Sequence, residues 1–127
     1  MAIKKLEELK VWQEARKLMR MVYEITEKFP PREKFNLTKH MRQCVRNIPG
    51  NIAEGFGRYH FQESMQFYRI ARGSLSELKS DIYCSFDVGY IGEDELKRLV
   101  DQNEKVGRLL NGLIASTFKL KGEQELH

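Results

Sequence analysis

The sequence predicts an all-α protein, an antiparallel up-down-up-down four-helix bundle with a proline-kinked second helix. Three observations carry that expectation. Apolar residues recur at spacings of three and four through four long segments, strand-like alternation is missing, and only three prolines interrupt the chain. Short links between long helices favour antiparallel neighbours. A chain of 127 residues fits one domain, 1–127, with length enough for a single core.

The first helix is expected over residues 9–29. Trp12, Ala15, Met19, Val22 and Thr26 form its apolar stripe, widened by Leu18, Ile25 and Phe29, while Lys10, Glu14, Lys17, Glu24 and Lys28 take the other face. Pro30-Pro31 ends it, because a residue before proline is pushed out of the α region. The second is expected over 37–56, with Leu37, Met41, Cys44, Val45, Ile48, Ile52 and Phe56 inward and Asn36 as its N-cap. Pro49 removes the bond to the Val45 carbonyl and predicts a bend, with Asn51 satisfying backbone groups there. Gly55 and Gly57 supply the stop.

The third helix is expected over 60–88, on Phe61, Met65, Tyr68, Ala71 or Arg72, Leu75, Leu78, Ile82 and Phe86, closed by Gly89. Gly73 in mid-helix costs about 1 kcal/mol against alanine, and close approach of a neighbouring helix is the expected compensation. The fourth is expected over 94–120, on Leu96, Leu99, Val100, Val106, Leu110, Leu113, Ile114 and Thr117. Glu93, Asp94 and Glu95 at its start suit the helix dipole, and residues 122–127 are expected to fray.

Charged residues at 31% and apolar residues at 41% describe a soluble globular chain, and no run approaches a membrane span. Charges near Met1 stand where a signal peptide would be apolar, so a cytoplasmic location is expected. Cys44 and Cys84 fall at core spacing and read as small buried hydrophobes, with no disulfide or metal.

Catalysis is not expected. No Glu-x-x-His pair of a di-iron bundle occurs, and His40, His60 and His127 stand apart without ligand spacing. No zinc pattern, cofactor motif or nucleophile elbow is present, and no set of polar groups converges on a small-molecule substrate. Glu54 and Glu77 beside the apolar stripes are expected to pair with Arg42, Arg46 or Arg58 and fix helix register, the alternative being a site for a cation or a partner's arginine.

What remains is basic surface. Residues 1–60 hold 13 Lys/Arg against 7 Asp/Glu, and residues 61–127 hold 9 against 11, so positive charge gathers in the first half. Lys39, Arg42 and Arg46 share a face of the second helix, Arg58 follows it, and Arg69 and Arg72 lie on the third. Tyr59, His60, Phe61 and Tyr68 stand near enough to stack on bases, so these six cations are the candidate contacts for RNA or DNA; the alternative is a solvated or salt-bridged face on a protein-interaction scaffold that binds no nucleic acid. Trp12, Tyr23, Phe35, Phe67, Tyr83 and Tyr90 exceed what so small a core absorbs, which favours a homo-oligomer.

Four stretches carry a family resemblance: L-K-V-W-Q-E-A at 9–15, F-P at 29–30, N-I-P-G-N-I-A-E-G-F-G-R at 47–58 and I-A-R-G-S-L-S-E-L at 70–78. In that order the chain resembles the four-helix-bundle proteins encoded within intervening sequences of bacterial large-subunit rRNA genes. The resemblance implies a bundle fold and assembly as a ring-like homopentamer. It also implies distant kinship to the pentameric accessory protein of diversity-generating retroelements, which binds nucleic acid and a reverse transcriptase. It implies no biochemical activity. His60, where relatives have Ser or Thr, weakens the expected cap of the third helix, and Ser64, where relatives have Phe, shifts apolar surface toward Phe61.

Overall fold

Each periodic segment is a helix in the computed structural model, which describes residues 4–125. The helices are α1 (Lys10–Thr26), α2 (Leu37–Phe56), α3 (Phe61–Asp87) and α4 (Glu93–Glu125), with short 3-10 turns at Leu6–Glu8 and Pro31–Glu33. No strand occurs among the described residues, and no helix is long and apolar enough to cross a membrane. α1 packs on α2, α2 most extensively on α3, α3 on α4, and α4 returns to α1, closing a four-helix bundle around one core. The links, residues 27–36, 57–60 and 88–92, are short enough to force reversal at each step.

Helix ends show which local forces operate. α1 stops at Thr26, three residues before the expected end, where the Thr26 hydroxyl turns back onto the Val22 carbonyl at 2.7 Å. α3 closes on Gly89, whose φ of +82° is open to glycine; its N–H donates to Phe86 O at 3.0 Å and Tyr90 N–H to Ser85 O at 2.9 Å. Asn36 does not cap α2 as expected. The Glu33 carboxylate instead accepts from Leu37 N–H at 3.4 Å, from Asn36 Nδ2 at 3.1 Å and from the Tyr90 hydroxyl at 2.6 Å. His60 likewise makes no side-chain cap at α3. α4 continues to Glu125, beyond the expected end at 120, so helix replaces the fraying expected over 122–125, and residues 126–127 lie outside the described residues.

The core follows the predicted stripes with one rotation. Val11, Ala15, Leu18 and Val22 form the buried line of α1, while Trp12 and Met19 sit at its margin. That rotation carries Glu14 inward, against expectation, where α4 supplies its partners. Lys105 Nζ lies 2.9 Å from Glu14 Oε1, and Gln102 Nε2 donates to the Glu14 carbonyl at 3.0 Å and to its carboxylate at 3.3 Å. The Lys105 hydrogen bond outweighs desolvation and, helped by Gln102, holds the Glu14 carboxyl down at about 2. A depressed folded pKa means that this stabilisation is complete above the ordinary pKa of 4.5 and is lost as pH falls toward 2. Thermal melts between pH 6 and about 2 should therefore show a decline below about pH 4.5 that is shallower in Glu14→Gln. Equal slopes for the two proteins would show that the pair does not link α1 to α4.

The close approach expected at Gly73 occurs instead at Gly55. A Cβ on Gly55 would meet the Tyr68 ring at 2.5 and 2.8 Å and the Ser64 carbonyl at 3.0 Å, so Gly55 permits a close approach of α2 to α3. It is buried inside α2 and does not stop it, while Gly57, with φ of −80°, follows as the C-cap. A Cβ on Gly73 would meet nothing within 4 Å, so no neighbouring helix presses on it. Pro49 is buried within α2, and the helix passes through it. Asn51 Nδ2 donates to Asn47 O at 2.7 Å, a backbone carbonyl one turn back, not the Val45 carbonyl that Pro49 frees. Six residues separate Asn51 from Val45, more than one turn of reach.

Candidate functional site

The six candidate cations divide into two kinds. Arg42 does not point into solvent. Its Nε donates to Thr26 Oγ1 at 2.9 Å, its Nη2 to Tyr23 O at 3.4 Å and to Glu27 Oε2 at 3.0 Å, and its guanidinium lies 4.6 Å from the Tyr23 ring centroid. A cation on the last carbonyls of α1 is also favourably placed for that helix's dipole. Arg42 thus caps α1 from α2. Arg58 is committed as well, 2.9 Å from Glu54 Oε2, 4.0 Å from Glu63 Oε2 and 4.9 Å from the Phe67 ring centroid.

Lys39, Arg46, Arg69 and Arg72 are exposed and have no acidic partner among the described residues. Arg46 makes one bond, Nε to the Arg42 carbonyl at 3.3 Å. Lys39 and Arg46 are two helical turns apart and share the outer face of α2. Arg69 borders a surface hollow with Phe61, Gln66, Ile70 and Phe118. Tyr59 is 95% exposed beside His60, its ring centroid 5.4 Å away edge-on. Tyr68, expected as a stacking group, is buried against Gly55 and unavailable. Another cationic hollow, not anticipated, lies between α1 and α4, where Lys17, Arg98, Lys105 and Arg108 line about 430 Å³ with Asp101.

Glu54 pairs with Arg58 as expected, but Glu77 meets no arginine. It faces His40 and Cys44 across the α2–α3 groove. His40 Nε2 is 3.5 Å from Glu77 Oε2, Cys44 Sγ is 3.7 Å from both, and His40 Nδ1 closes on the Asp81 carboxylate. One donor atom each from His40, Cys44 and Asp81 falls within 4.8 Å of the others, which suits a metal ion. The Asp81 hydrogen bond, aided by the Asp81 and Glu77 charges, raises the proton affinity of His40 against its partial burial. Burial, reinforced by the same carboxylates, pushes the Cys44 thiol up to about 12. The expectation that His40 stands alone is therefore corrected. Its signal is local: His40 and Cys44 are four apart on α2, as are Glu77 and Asp81 on α3, and each pair shares a helix face. Cys84 departs from expectation too. It is exposed, because Ser85 takes the inward position and bonds Asp81 O at 2.8 Å.

Fold and surface together define a small helical bundle with unpaired cations on α2 and α3 and a polar cluster between them. Residues 7–112 match the family described as 23S rRNA-intervening sequence protein, and the chain belongs to that family. A solved structure of similar fold is a protein of unknown function from the S23 ribosomal protein family of Bacteroides thetaiotaomicron. It is 16% identical, with a TM-score of 0.75 over 83% of this chain and 95% of that one. No curated protein matches.

Proposed function

We propose that this protein is a non-enzymatic homo-oligomer, a pentamer, that binds nucleic acid, RNA in preference to DNA, through phosphate contacts along α2 and α3. The supporting observation is the set Lys39, Arg46, Arg69 and Arg72, four exposed cations whose charge no carboxylate among the described residues consumes. Cations held in place by a rigid bundle and left unpaired suit a polyanion, and repetition around a ring multiplies a weak contact without adding a new one. Tyr59, 95% exposed in the link between α2 and α3, offers a stacking surface of the kind single-stranded RNA readers use.

Light scattering on the purified protein, with and without single-stranded RNA, is expected to give five chains per particle and a heavier complex at low salt. With four phosphate contacts per chain, affinity for a single strand should fall about 50-fold for a fourfold rise in salt. A particle that takes up neither RNA nor DNA at low salt would favour the rival reading, a protein-interaction scaffold. That reading has one observation behind it: Arg42 and Arg58 are already paired with carboxylates of this chain, Glu27 and Glu54.

A further inference from the structure

We propose that His40, Cys44 and Glu77 form a three-ligand site for a zinc-class divalent ion in the groove between α2 and α3, with Asp81 orienting the histidine. The geometry carries this. The three donor atoms His40 Nε2, Cys44 Sγ and Glu77 Oε2 form a triangle with edges of 3.7, 3.7 and 3.5 Å. Tetrahedral zinc, with bonds of about 2.3 Å to sulfur and about 2.0–2.2 Å to nitrogen and oxygen, needs ligand separations of about 3.3–3.7 Å. The separations match one face of that tetrahedron, while Cys44 Sγ also lies 3.9 Å from His40 Nδ1, so the imidazole must turn before its Nε2 lone pair and the sulfur can share an ion.

Asp81 completes the arrangement. Its carboxylate takes the Nδ1 side of His40, which leaves the Nε2 lone pair for the ion, the carboxylate–histidine–metal relay that fixes ring orientation at metal sites. One nitrogen, one sulfur and one oxygen make a borderline-soft donor set that favours zinc over magnesium or calcium, which take oxygen ligands. Binding replaces the thiol proton of Cys44 by a sulfur–metal bond and releases that proton to solvent.

The fourth position faces an open hollow of about 480 Å³ bordered by Gln43, Asn47, Ile70 and Gly73. A Cβ at Gly73 would touch nothing there, so the side of α3 flanking the ion carries no bulk. Water or a small exogenous ligand fills that position, the layout of zinc sites with three protein ligands. The site stands independently of nucleic acid binding.

Metal-depleted protein titrated with zinc by calorimetry is expected to take up one ion per chain and to melt at a higher temperature once loaded. Cobalt in its place should give a near-ultraviolet thiolate-to-metal band and the intense visible bands of four-coordinate cobalt. Cys44→Ser should abolish the ultraviolet band, and Cys84→Ser should leave it intact. Asp81→Asn should keep the band while weakening zinc about 10- to 100-fold. Circular dichroism of each variant reports whether the helices remain. Three results would each overturn the proposal: no zinc uptake by folded protein, a cobalt spectrum without the thiolate band, or uptake unchanged in both Cys44→Ser and His40→Ala. The quartet would then be a hydrogen-bonded bridge between two helices and nothing more.

Discussion

Gly55→Ala is expected to destabilise the protein by about 1–3 kcal/mol, while Gly73→Ala is expected to stabilise it by up to about 1 kcal/mol. Helix propensity alone predicts a gain at both positions, since each glycine lies inside a helix. Packing separates them. At Gly55 the new methyl would stand 2.5 Å from a Tyr68 ring carbon and 3.0 Å from the Ser64 carbonyl oxygen. Tyr68 is buried and its ring cannot swing away, and the carbonyl belongs to the backbone of α3, so the two helices must separate. At Gly73 the methyl enters open space. Urea unfolding at one fixed protein concentration gives both values. Tyr68→Leu in the Gly55→Ala background should recover part of the loss through a favourable coupling. A Gly55→Ala protein more stable than the parent would show that α2 and α3 do not meet as described.

Arg42→Ala is expected to cost about 2 kcal/mol, and Arg46→Ala to change stability by no more than about 0.5 kcal/mol. The two arginines are one helical turn apart and look equivalent in sequence. Arg42 makes two hydrogen bonds to the last turn of α1, to the Thr26 hydroxyl and the Tyr23 carbonyl, a third to the Glu27 carboxylate just beyond it, and stacks on Tyr23. Its loss removes charge-assisted bonds at a helix end and a cation from the negative pole of α1. Arg46 is exposed and bonds only a carbonyl of its own helix. Thermal melts of the two single variants make the comparison. Equal melting temperatures would mean that the contacts of Arg42 are surface decoration. The contrast also governs how binding variants are chosen, because Arg42→Ala would weaken any ligand indirectly.

The fold was legible because burial on a helix depends on spacing within that helix. Met41, Val45, Ile48 and Ile52, or Leu75, Leu78 and Ile82, declare their inward face without reference to any partner. The site was legible only in part, because what a polar side chain does depends on what another helix brings to it. Lys39, Arg46, Arg69 and Arg72 were readable as exposed cations, since nothing opposes them. Arg42 was not, because Thr26 and Glu27 lie sixteen and fifteen residues away across a turn. Glu14 looked like a surface carboxylate until Gln102 and Lys105, some ninety residues on, gave it reason to turn inward. In sequence Gly55 reads as a stop and Gly73 as the point of close approach, and both readings fail because the rotation of α3 about its own axis decides which glycine meets a ring. The His40–Cys44 and Glu77–Asp81 spacings were present in the sequence, but the pairing of the two helix faces that gives them meaning was not.

Phosphate contact by the unpaired cations of α2 and α3 is tested most directly by the salt dependence of RNA affinity, measured by fluorescence anisotropy, for the parent, an Arg46→Ala/Arg69→Ala/Arg72→Ala variant and a Lys17→Ala/Arg98→Ala/Arg108→Ala variant. The first variant should remain folded and lose about 2 from the slope of log affinity against log salt, about 0.7 for each of three lost single-strand contacts, while the second keeps the parent's slope. A first variant with the parent's slope, or a loss confined to the second, would contradict the assignment of phosphate contacts to α2 and α3.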